Sequence, residues 1–143
     1  MYKVIIIEDD PMVASINKQY VELTSSFHVE ATFKNGILAL QYLQNCTVDL
    51  IILDYYTPQM NGDEFIDQLH AAGMTPAIIM VTSANDAETV RRLISRGVTD
   101  YLVKPFEYGR FKAALERFAK RQEELKTSTS ASDLGQAEID RLF

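Results

Sequence analysis

The chain has 143 residues, enough for one ordinary domain and a short extra segment, and 47% of them are hydrophobic, as in globular proteins. Its apolar stretches fall short of the roughly 18 residues of a membrane helix, and Met1 to Lys3 lead into an apolar run rather than a signal peptide, so we expect a cytoplasmic protein without a membrane partner. The net charge of -6 excludes a basic nucleic-acid surface, so any contact with DNA requires residues outside this sequence.

Five short apolar runs alternate with segments of helical periodicity. The runs lie at 4–7, 29–33, 50–53, 77–81 and 101–103. Apolar runs of this length predict buried strands, and the segments between them predict one helix after each strand, a (βα)5 chain. Because connections between parallel strands are right-handed, the helices then cover both faces of a doubly wound five-stranded parallel sheet of the α/β class.

Capping residues and apolar spacing define the five helices in chain order. The predicted starts and stops are Asp10 with Pro11 for the first helix, Asn35 for the second, Gly62 and Gly73 for the third, Asn85 or Asp86 and Gly97 for the fourth, and Pro105 for the fifth. The predicted core faces are, in the same order, Val13, Ile16, Tyr20 and Leu23; Ile37, Leu40 and Leu43; Phe65, Ile66 and Leu69; Val90, Leu93 and Ile94; and Phe111, Leu115 and Phe118. The lone Cys46 excludes an internal disulfide and is predicted to fill the core.

Polar side chains follow four of the predicted strands. They are Glu8, Asp9 and Asp10 after the first, Asp54 after the third, Thr82 and Ser83 after the fourth, and Lys104 with Pro105 after the fifth. Ligands of doubly wound sheets bind beyond the carboxyl ends of the strands, where the strand order reverses. Each of these features alone is more often a cap, a turn or a solvated loop, but their joint occurrence at four strand ends predicts one polar pocket.

Clustered carboxylates in this pocket predict a divalent cation. Like charges packed together repel by roughly 1 kcal/mol per pair at 4 Å in water and by more near a protein interior, so something must offset them. Hard oxygen ligands favour Mg²⁺ or Mn²⁺ over zinc. We expect Asp9 and Asp54 to hold the ion, Glu8 or Asp10 to act through water, and the backbone carbonyl of Tyr56 to complete the protein's share of the ligands.

The same set of residues suits transfer of a phosphoryl group. An aspartate accepts a phosphoryl group as a mixed anhydride when a metal screens the approaching anions. Asp54 is then the acceptor, and we expect Lys104 and the Thr82 hydroxyl to contact phosphoryl oxygens. No strong general base accompanies them, so the domain is predicted to receive a phosphoryl group rather than to turn over a metabolite.

At this point the chain resembles the receiver domains of two-component response regulators. The matching segments are Ile-Ile-Ile-Glu-Asp-Asp at 5–10, Leu-Asp-Tyr-Tyr-Thr-Pro-Gln-Met-Asn-Gly at 53–62, Val-Thr-Ser-Ala at 81–84 and Asp-Tyr-Leu-Val-Lys-Pro-Phe at 100–106. The resemblance covers about residues 1–125 and implies a flavodoxin-like strand order of 2-1-3-4-5. The loop after Asp54 is most similar to regulators of citrate and C4-dicarboxylate metabolism.

The resemblance implies a phosphorylation switch. It makes Asp54 the target of a sensor histidine kinase, Glu8 and Asp9 an acidic metal-binding pair, and Lys104-Pro105 a cis peptide. It also implies that Thr82 moves toward the phosphoryl group and that Tyr101 turns inward. The face that changes is the fourth helix, fifth strand and fifth helix, whose charges are expected to pair across a homodimer: Arg91, Arg92, Arg96, Asp100, Glu107, Arg110 and Lys112.

Two other functional classes are open on sequence alone. An aspartyl-phosphate phosphohydrolase of the haloacid dehalogenase type needs a second Asp two residues after the nucleophile, where this chain has Tyr56. A pseudo-receiver that binds partners without phosphorylation is disfavoured because Asp9, Asp54, Thr82 and Lys104 are all present. The large Tyr56 ring leads to the hypothesis that it shields the acyl phosphate from water, so that the domain dephosphorylates itself only slowly.

The composition changes near the C-terminus. Residues 1–125 are predicted to form the receiver, 126–135 a linker rich in Ser and Thr, and 136–143 the start of a C-terminal domain whose remainder is missing, expected by family likeness to bind DNA and control transcription. Phe111, Leu115, Phe118, Gln122 and Leu125 have near-heptad spacing, so an extended fifth helix is a second possible homodimer contact. A frayed tail on a single-domain regulator is the alternative.

Overall fold

The structure, a computed structural model, describes residues 1–129 and 135–142. Strands and helices alternate through most of these residues. The elements are β1 (Tyr2–Ile7), α1 (Pro11–Leu23), β2 (Phe27–Phe33), α2 (Gly36–Leu43), β3 (Leu50–Leu53), α3 (Gly62–Ala71), β4 (Ala77–Thr82), α4 (Ala87–Ser95), β5 (Asp100–Val103), α5 (Tyr108–Thr129) and α6 (Gln136–Leu142).

The five strands form one parallel sheet in the order β2-β1-β3-β4-β5. This confirms the predicted doubly wound α/β fold and its strand order. The order reverses between β1 and β3, because β1 connects to an edge strand on one side and β3 continues on the other. In register, Ile7 of β1 lies beside Leu53 of β3, so Glu8 and Asp54 leave the sheet side by side.

The sheet is buried on both faces by two separate apolar clusters. Val4 and Ile6 of β1 point to the side covered by α1 and α5, where Phe111 and Phe118 are fully buried. Their neighbours Ile5 and Ile7 point to the side covered by α2, α3 and α4. Burial on both sides explains why these strands read as continuous apolar runs rather than as alternating ones.

The helix starts follow the predicted caps. Asp10 accepts hydrogen bonds from the N–H groups of Met12 and Val13, with Pro11 in the first turn, and Asn35 accepts from Leu38. Of the two alternatives for α4, Asp86 is the cap. Asn61 and Glu64 form a capping box at α3, which the sequence analysis did not identify.

Two predicted helix faces are only partly right: Leu43 is buried and Tyr20 and Leu40 pack against the core, but other predicted members are exposed. In α1 the buried residues are Ala14, Asn17 and Val21, whereas the predicted Ile16 and Leu23 are exposed. The cause is close packing, because a small side chain lets a helix approach the sheet more nearly than a large one.

Close packing has the same effect in α2. The buried face there is Gly36, Ala39 and Leu43, and Ile37 is exposed. A Cβ on Gly36 would lie only 2.8 Å from Phe65 Cδ1, so the glycine side of the helix must face α3.

Two further expectations about burial also fail. Cys46 is exposed rather than in the core, since it follows the end of α2. Ile94 of α4 is exposed as well, and Leu93 is the residue of that helix which is buried. The predicted faces of α3 and α5 are confirmed by the burial of Phe65, Ile66, Leu69, Phe111, Leu115 and Phe118.

Helix α5 extends beyond residue 125, where the receiver was predicted to end. Helix α5 continues to Thr129, so 126–129 are helical where a linker was expected to begin. The predicted linker residues 130–134 and the terminal Phe143 lie outside the described part of the chain. In the described ranges, no helix is long and apolar enough to cross a membrane.

Candidate functional site

Three carboxylates meet at the carboxyl edge of the sheet. Glu8 and Asp9 follow β1 and Asp54 follows β3, and one carboxylate oxygen from each lies within 4.8 Å of the other two. Glu8 and Asp54 are buried, whereas Asp9 is exposed. The parallel order of the sheet creates this cluster, because β1 and β3 are neighbours that end at the same level. Asp10, by contrast, is occupied as the cap of α1.

Lys104 supplies a cation to the cluster. Its Nζ donates to Glu8 Oε1 at 2.6 Å and to Asp54 Oδ2 at 3.1 Å. The backbone N–H of Lys104 donates to the Thr82 carbonyl at 2.9 Å, which links Lys104 to the end of β4. The Lys104-Pro105 peptide is cis, as the resemblance implied. Burial lowers the pKa of Lys104, but the bonds to Glu8 and Asp54 outweigh it and raise the pKa above the ordinary value. Lys104 is therefore charged.

One ammonium group does not neutralise three carboxylates. Burial raises the pKa of Glu8 above the ordinary value, the hydrogen bond from Lys104 opposes that rise, and the negative charge of Asp54 adds to it. The Asp10 N–H donates to the other Glu8 oxygen at 3.2 Å. The cluster thus holds excess negative charge in a partly buried place, a charge that a divalent cation would offset.

Asp54 is held by contacts to both of its oxygens. Oδ2 accepts from Lys104, and Oδ1 accepts from the Tyr56 N–H at 3.2 Å. The Asp54 N–H donates to the Ile7 carbonyl at 3.0 Å, which fixes its backbone to β1. Tyr56 as a whole residue is 55% exposed, and its ring packs edge-on against the Tyr55 ring, with centroids 5.0 Å apart.

Thr82 and Tyr101 meet at Ala84 rather than at Asp54. Thr82 is fully buried, and its hydroxyl oxygen accepts from the Ala84 N–H at 3.4 Å. The Tyr101 hydroxyl donates to the Ala84 carbonyl at 2.5 Å. Burial, then the negative charge of Asp86, raises the pKa of Tyr101 to about 12, so this hydroxyl keeps its proton. Ser83 is exposed.

Several charges that were expected to face a second copy are used within the chain. Arg92 and Arg96 bind Asp63 of α3, and Arg110 binds Asp100 at 2.7 Å. Arg91, Glu107 and Lys112 are exposed on the same face. Sequence analysis missed Asp63, because no local pattern joins an acid in α3 to two arginines about thirty residues later. The only hint was that Arg92 and Arg96 are four residues apart and so share one side of a helix.

Comparison with known proteins gives one family. The family model described as "Response regulator receiver domain" matches residues 4–116. The chain is 36% identical over 142 residues to the "Probable C4-dicarboxylate response regulator DctR" of Priestia megaterium, covering 99% of this chain and 61% of that protein. It is 35% identical to the "Transcriptional regulatory protein DcuR" of Escherichia coli K12 over 145 residues, covering 100% and 59%. The chain thus spans about three fifths of these curated relatives.

Solved structures agree on the fold. The response regulatory domain of protein mrkE from Klebsiella pneumoniae superposes with a TM-score of 0.78 at 24% identity, covering 85% of this chain and 98% of that one. The receiver domain of the Francisella response regulator 1452 gives a TM-score of 0.76 at 23% identity, covering 85% and 99%.

Proposed function

Because this chain belongs to the response regulator receiver family, whose general function is a phosphorylation switch, we propose that Asp54 is its phosphoacceptor. The observation that carries the proposal is the contact set of Asp54: two further carboxylates beside it, and the Lys104 ammonium 3.1 Å from its Oδ2. A phosphohistidine of a sensor kinase is the proposed donor. The P–N bond to the imidazole breaks and its electron pair stays on the nitrogen, which takes up a proton from water, while a P–O bond to an Asp54 oxygen forms.

The acidic cluster fits Mg²⁺ or Mn²⁺. All three side-chain donors are carboxylate oxygens, and the cluster lacks the positive charge to balance them. Glu8, Asp9 and Asp54, with the Tyr56 carbonyl, would hold the ion. When bound, Mg²⁺ supplies positive charge that screens the carboxylate of Asp54 from the approaching phosphoryl oxygens.

Two side chains are proposed to contact the phosphoryl group once it is attached. The Lys104 ammonium already touches Asp54 and has only to exchange a carboxylate oxygen for a phosphoryl oxygen. The Thr82 hydroxyl, whose oxygen accepts from the Ala84 N–H, would donate its own proton to a phosphoryl oxygen, and turning toward that oxygen releases one contact of the loop between β4 and α4. Since Tyr101 holds the carbonyl of the same Ala84, movement of this loop changes the Tyr101 contact and gives the switch its readout.

Tyr56 is proposed to lengthen the life of the acyl phosphate. Its ring stands beside the loop that starts at Asp54, and its N–H binds the Asp54 carboxylate. A large ring there restricts the approach of water to the phosphorus atom. Autodephosphorylation is then slow, and the domain acts as a switch rather than as a phosphohydrolase.

The output is proposed to be transcription. Relatives named as probable C4-dicarboxylate response regulators extend beyond the length of this chain. We therefore propose a receiver over 1–125, and beyond it a DNA-binding domain that begins near 136. Homodimerisation is proposed through α4, β5 and α5, where Arg91, Glu107 and Lys112 are exposed, or through the long α5. The narrowest form of the proposed output is control of citrate or C4-dicarboxylate genes.

Intact mass after incubation with acetyl phosphate and Mg²⁺ tests the function. The expected product carries one phosphoryl group, which EDTA prevents and Asp54→Asn abolishes. The matched control is Asp49→Asn, an acid before β3 rather than after it. Multiple turnover of the donor without a stable adduct indicates a phosphohydrolase instead. No mass change, with either acetyl phosphate or a histidine kinase as donor, indicates a pseudo-receiver.

A further inference from the structure

A second polar network lies next to the acidic cluster, and the proposed chemistry does not use it. Asp63, in the first turn of α3, accepts from the Tyr55 hydroxyl at 2.7 Å and from Arg92 at 3.1 Å (Nε) and 2.7 Å (Nη2). Arg92 also donates to the Tyr55 hydroxyl oxygen at 3.2 Å. Arg96 adds a contact to Asp63 at 3.3 Å and binds the exposed Asp67. The network joins α3, α4 and the residue after Asp54.

The protonation states of Asp63 and Tyr55 agree with their roles as hydrogen-bond acceptor and donor. Burial raises the pKa of Asp63, but the bonds from Arg92 and Tyr55 outweigh it, so the pKa is below the ordinary value. Burial and then the bond to Asp63 raise the pKa of Tyr55, which keeps its proton and remains a donor. Bonds with a charged partner are roughly twice as strong as neutral ones.

Contacts to both the backbone and the side chain of Tyr55 restrict its position. Its carbonyl accepts from the Gly62 N–H at 2.9 Å, and a Cβ on Gly62 would lie 2.8 Å from Tyr55 Cδ2. Its ring packs against Tyr56, and the residue as a whole is buried. On either side of it in the chain are Asp54 and Tyr56, which are joined by the Tyr56 N–H bond to Oδ1. Fixing the Tyr55 side chain therefore fixes the backbone that carries the proposed metal ligands.

We propose that Tyr55, Asp63 and Arg92 form a positioning network that holds the Tyr56 carbonyl in place for Mg²⁺ and couples metal binding to α4. The inference rests on the proposed metal site and adds residues that do not touch the ion. A ligand carbonyl that is ordered before binding saves the cost of ordering it afterwards. Coupling between two sites is reciprocal, so Mg²⁺ must also stabilise the Arg92 contact and with it α4.

Mg²⁺ titration calorimetry on the whole chain, without a phosphodonor, tests this coupling. Tyr55→Phe removes only the hydroxyl, and Asp63→Asn preserves the shape of the side chain. Each is expected to weaken Mg²⁺ binding about fivefold, the cost of ordering roughly one residue of backbone. The control is Asp67→Asn, which removes a carboxylate of the same helix. That carboxylate binds Arg96 but neither Tyr55 nor Arg92, so the Mg²⁺ affinity of this variant is expected to match that of the parent.

Two further measurements separate positioning from a general loss of structure. If both residues act through one network, the double variant binds Mg²⁺ no more weakly than the weaker single variant. Amide hydrogen exchange is expected to slow in α4 when Mg²⁺ is added to the parent, and not when it is added to Tyr55→Phe. Circular dichroism confirms that each variant is folded at the temperature used.

The outcomes separate this inference from the function on which it rests. A parent that binds Mg²⁺, with Tyr55→Phe and Asp63→Asn binding as tightly as Asp67→Asn, overturns the positioning network alone. Multiplicative losses in the double variant also overturn it, because they indicate independent effects. A parent that binds no Mg²⁺ overturns the proposed metal site and the network together.

Discussion

Replacing Asp54, the proposed phosphoacceptor, by its amide is expected to stabilise the fold in the absence of metal. At 4.8 Å, the widest separation within the acidic cluster, two charges repel by about 0.9 kcal/mol in water and about 3.5 kcal/mol at an effective dielectric constant of 20. Asp54→Asn removes two such repulsions, with Glu8 and Asp9, and one attraction to Lys104 at 3.1 Å. We expect a net gain of about 1 kcal/mol in the free energy of unfolding, because Lys104 keeps its bond to Glu8.

Metal reverses this order of stability. A ligand that binds only the folded state at 100 times its dissociation constant stabilises the parent by about 2.7 kcal/mol. Asp54→Asn lacks one charged ligand, so Mg²⁺ is expected to stabilise this variant much less than the parent. The parent is therefore less stable than the variant in EDTA and more stable than the variant in Mg²⁺.

Urea unfolding followed by circular dichroism, at pH 7.5 in EDTA and again in saturating Mg²⁺, measures both differences. Asp67→Asn makes the same change in net charge on the exposed surface and controls for a general charge effect. An Asp54→Asn variant that is less stable than the parent in EDTA would refute the reasoning, because the carboxylate would then be stabilised by its surroundings. Equal stabilisation of parent and variant by Mg²⁺ would refute the metal ligand role.

Three further predictions follow from the contacts. Because burial raises the pKa of Glu8, its proton competes with Mg²⁺ at a higher pH than the proton of an ordinary carboxyl does. Calorimetry is therefore expected to show that Mg²⁺ affinity falls from pH 7.5 to 5.5, and that Glu8→Gln binds Mg²⁺ more weakly with a smaller change over this range. Parallel plots of affinity against pH for parent and variant would contradict this. Tyr56→Ala is expected to release phosphate severalfold faster than the parent, with Tyr56→Phe as the matched control; equal rates for all three proteins would exclude shielding. Asp100→Asn is expected to lower the free energy of unfolding in urea by about 2 kcal/mol, because it weakens the bonds from Arg110 to a carboxylate whose side chain is only 8% exposed. A loss no larger than that of the exposed Glu107→Gln would exclude this role.

The fold was predictable because burial on both faces leaves a simple pattern. A strand such as β3, with four consecutive buried residues, is read directly as Leu50-Ile-Ile-Leu53. The start of β2 was missed, since Phe27 and His28 precede the apolar run and pair with Tyr2 and Lys3 only through the sheet. The faces of α1 and α2 were predicted only in part, because periodicity gives the width of an apolar stripe but small residues decide which side approaches the sheet.

The positions of the site residues follow from the fold, whereas their contacts do not. Strand ends and strand order are enough to predict that Glu8, Asp54 and Lys104 lie near one another. That Lys104 bridges the two acids, and that Thr82 turns toward Ala84, depends on distances that only coordinates give. The Asp63 network is still less predictable, because its members are about thirty residues apart and its geometry depends on how α3 and α4 pack.

The charge balance of the pocket supports the proposed switch, in which Asp54 is phosphorylated. Three carboxylates and the Lys104 ammonium leave two negative charges, which a divalent cation neutralises. The nearby cations Arg92 and Arg96 are bound to Asp63 and do not alter this balance. A phosphoryl group on Asp54 replaces one negative charge by about two, so the neutral pocket gains roughly one negative charge. The added charge is best satisfied by a hydrogen-bond donor that can move, and the Thr82 hydroxyl, held by a single long bond to Ala84, is such a donor. The loop that carries Ala84 also binds Tyr101, so in the proposed switch the new charge would act on the Tyr101 contact through this loop.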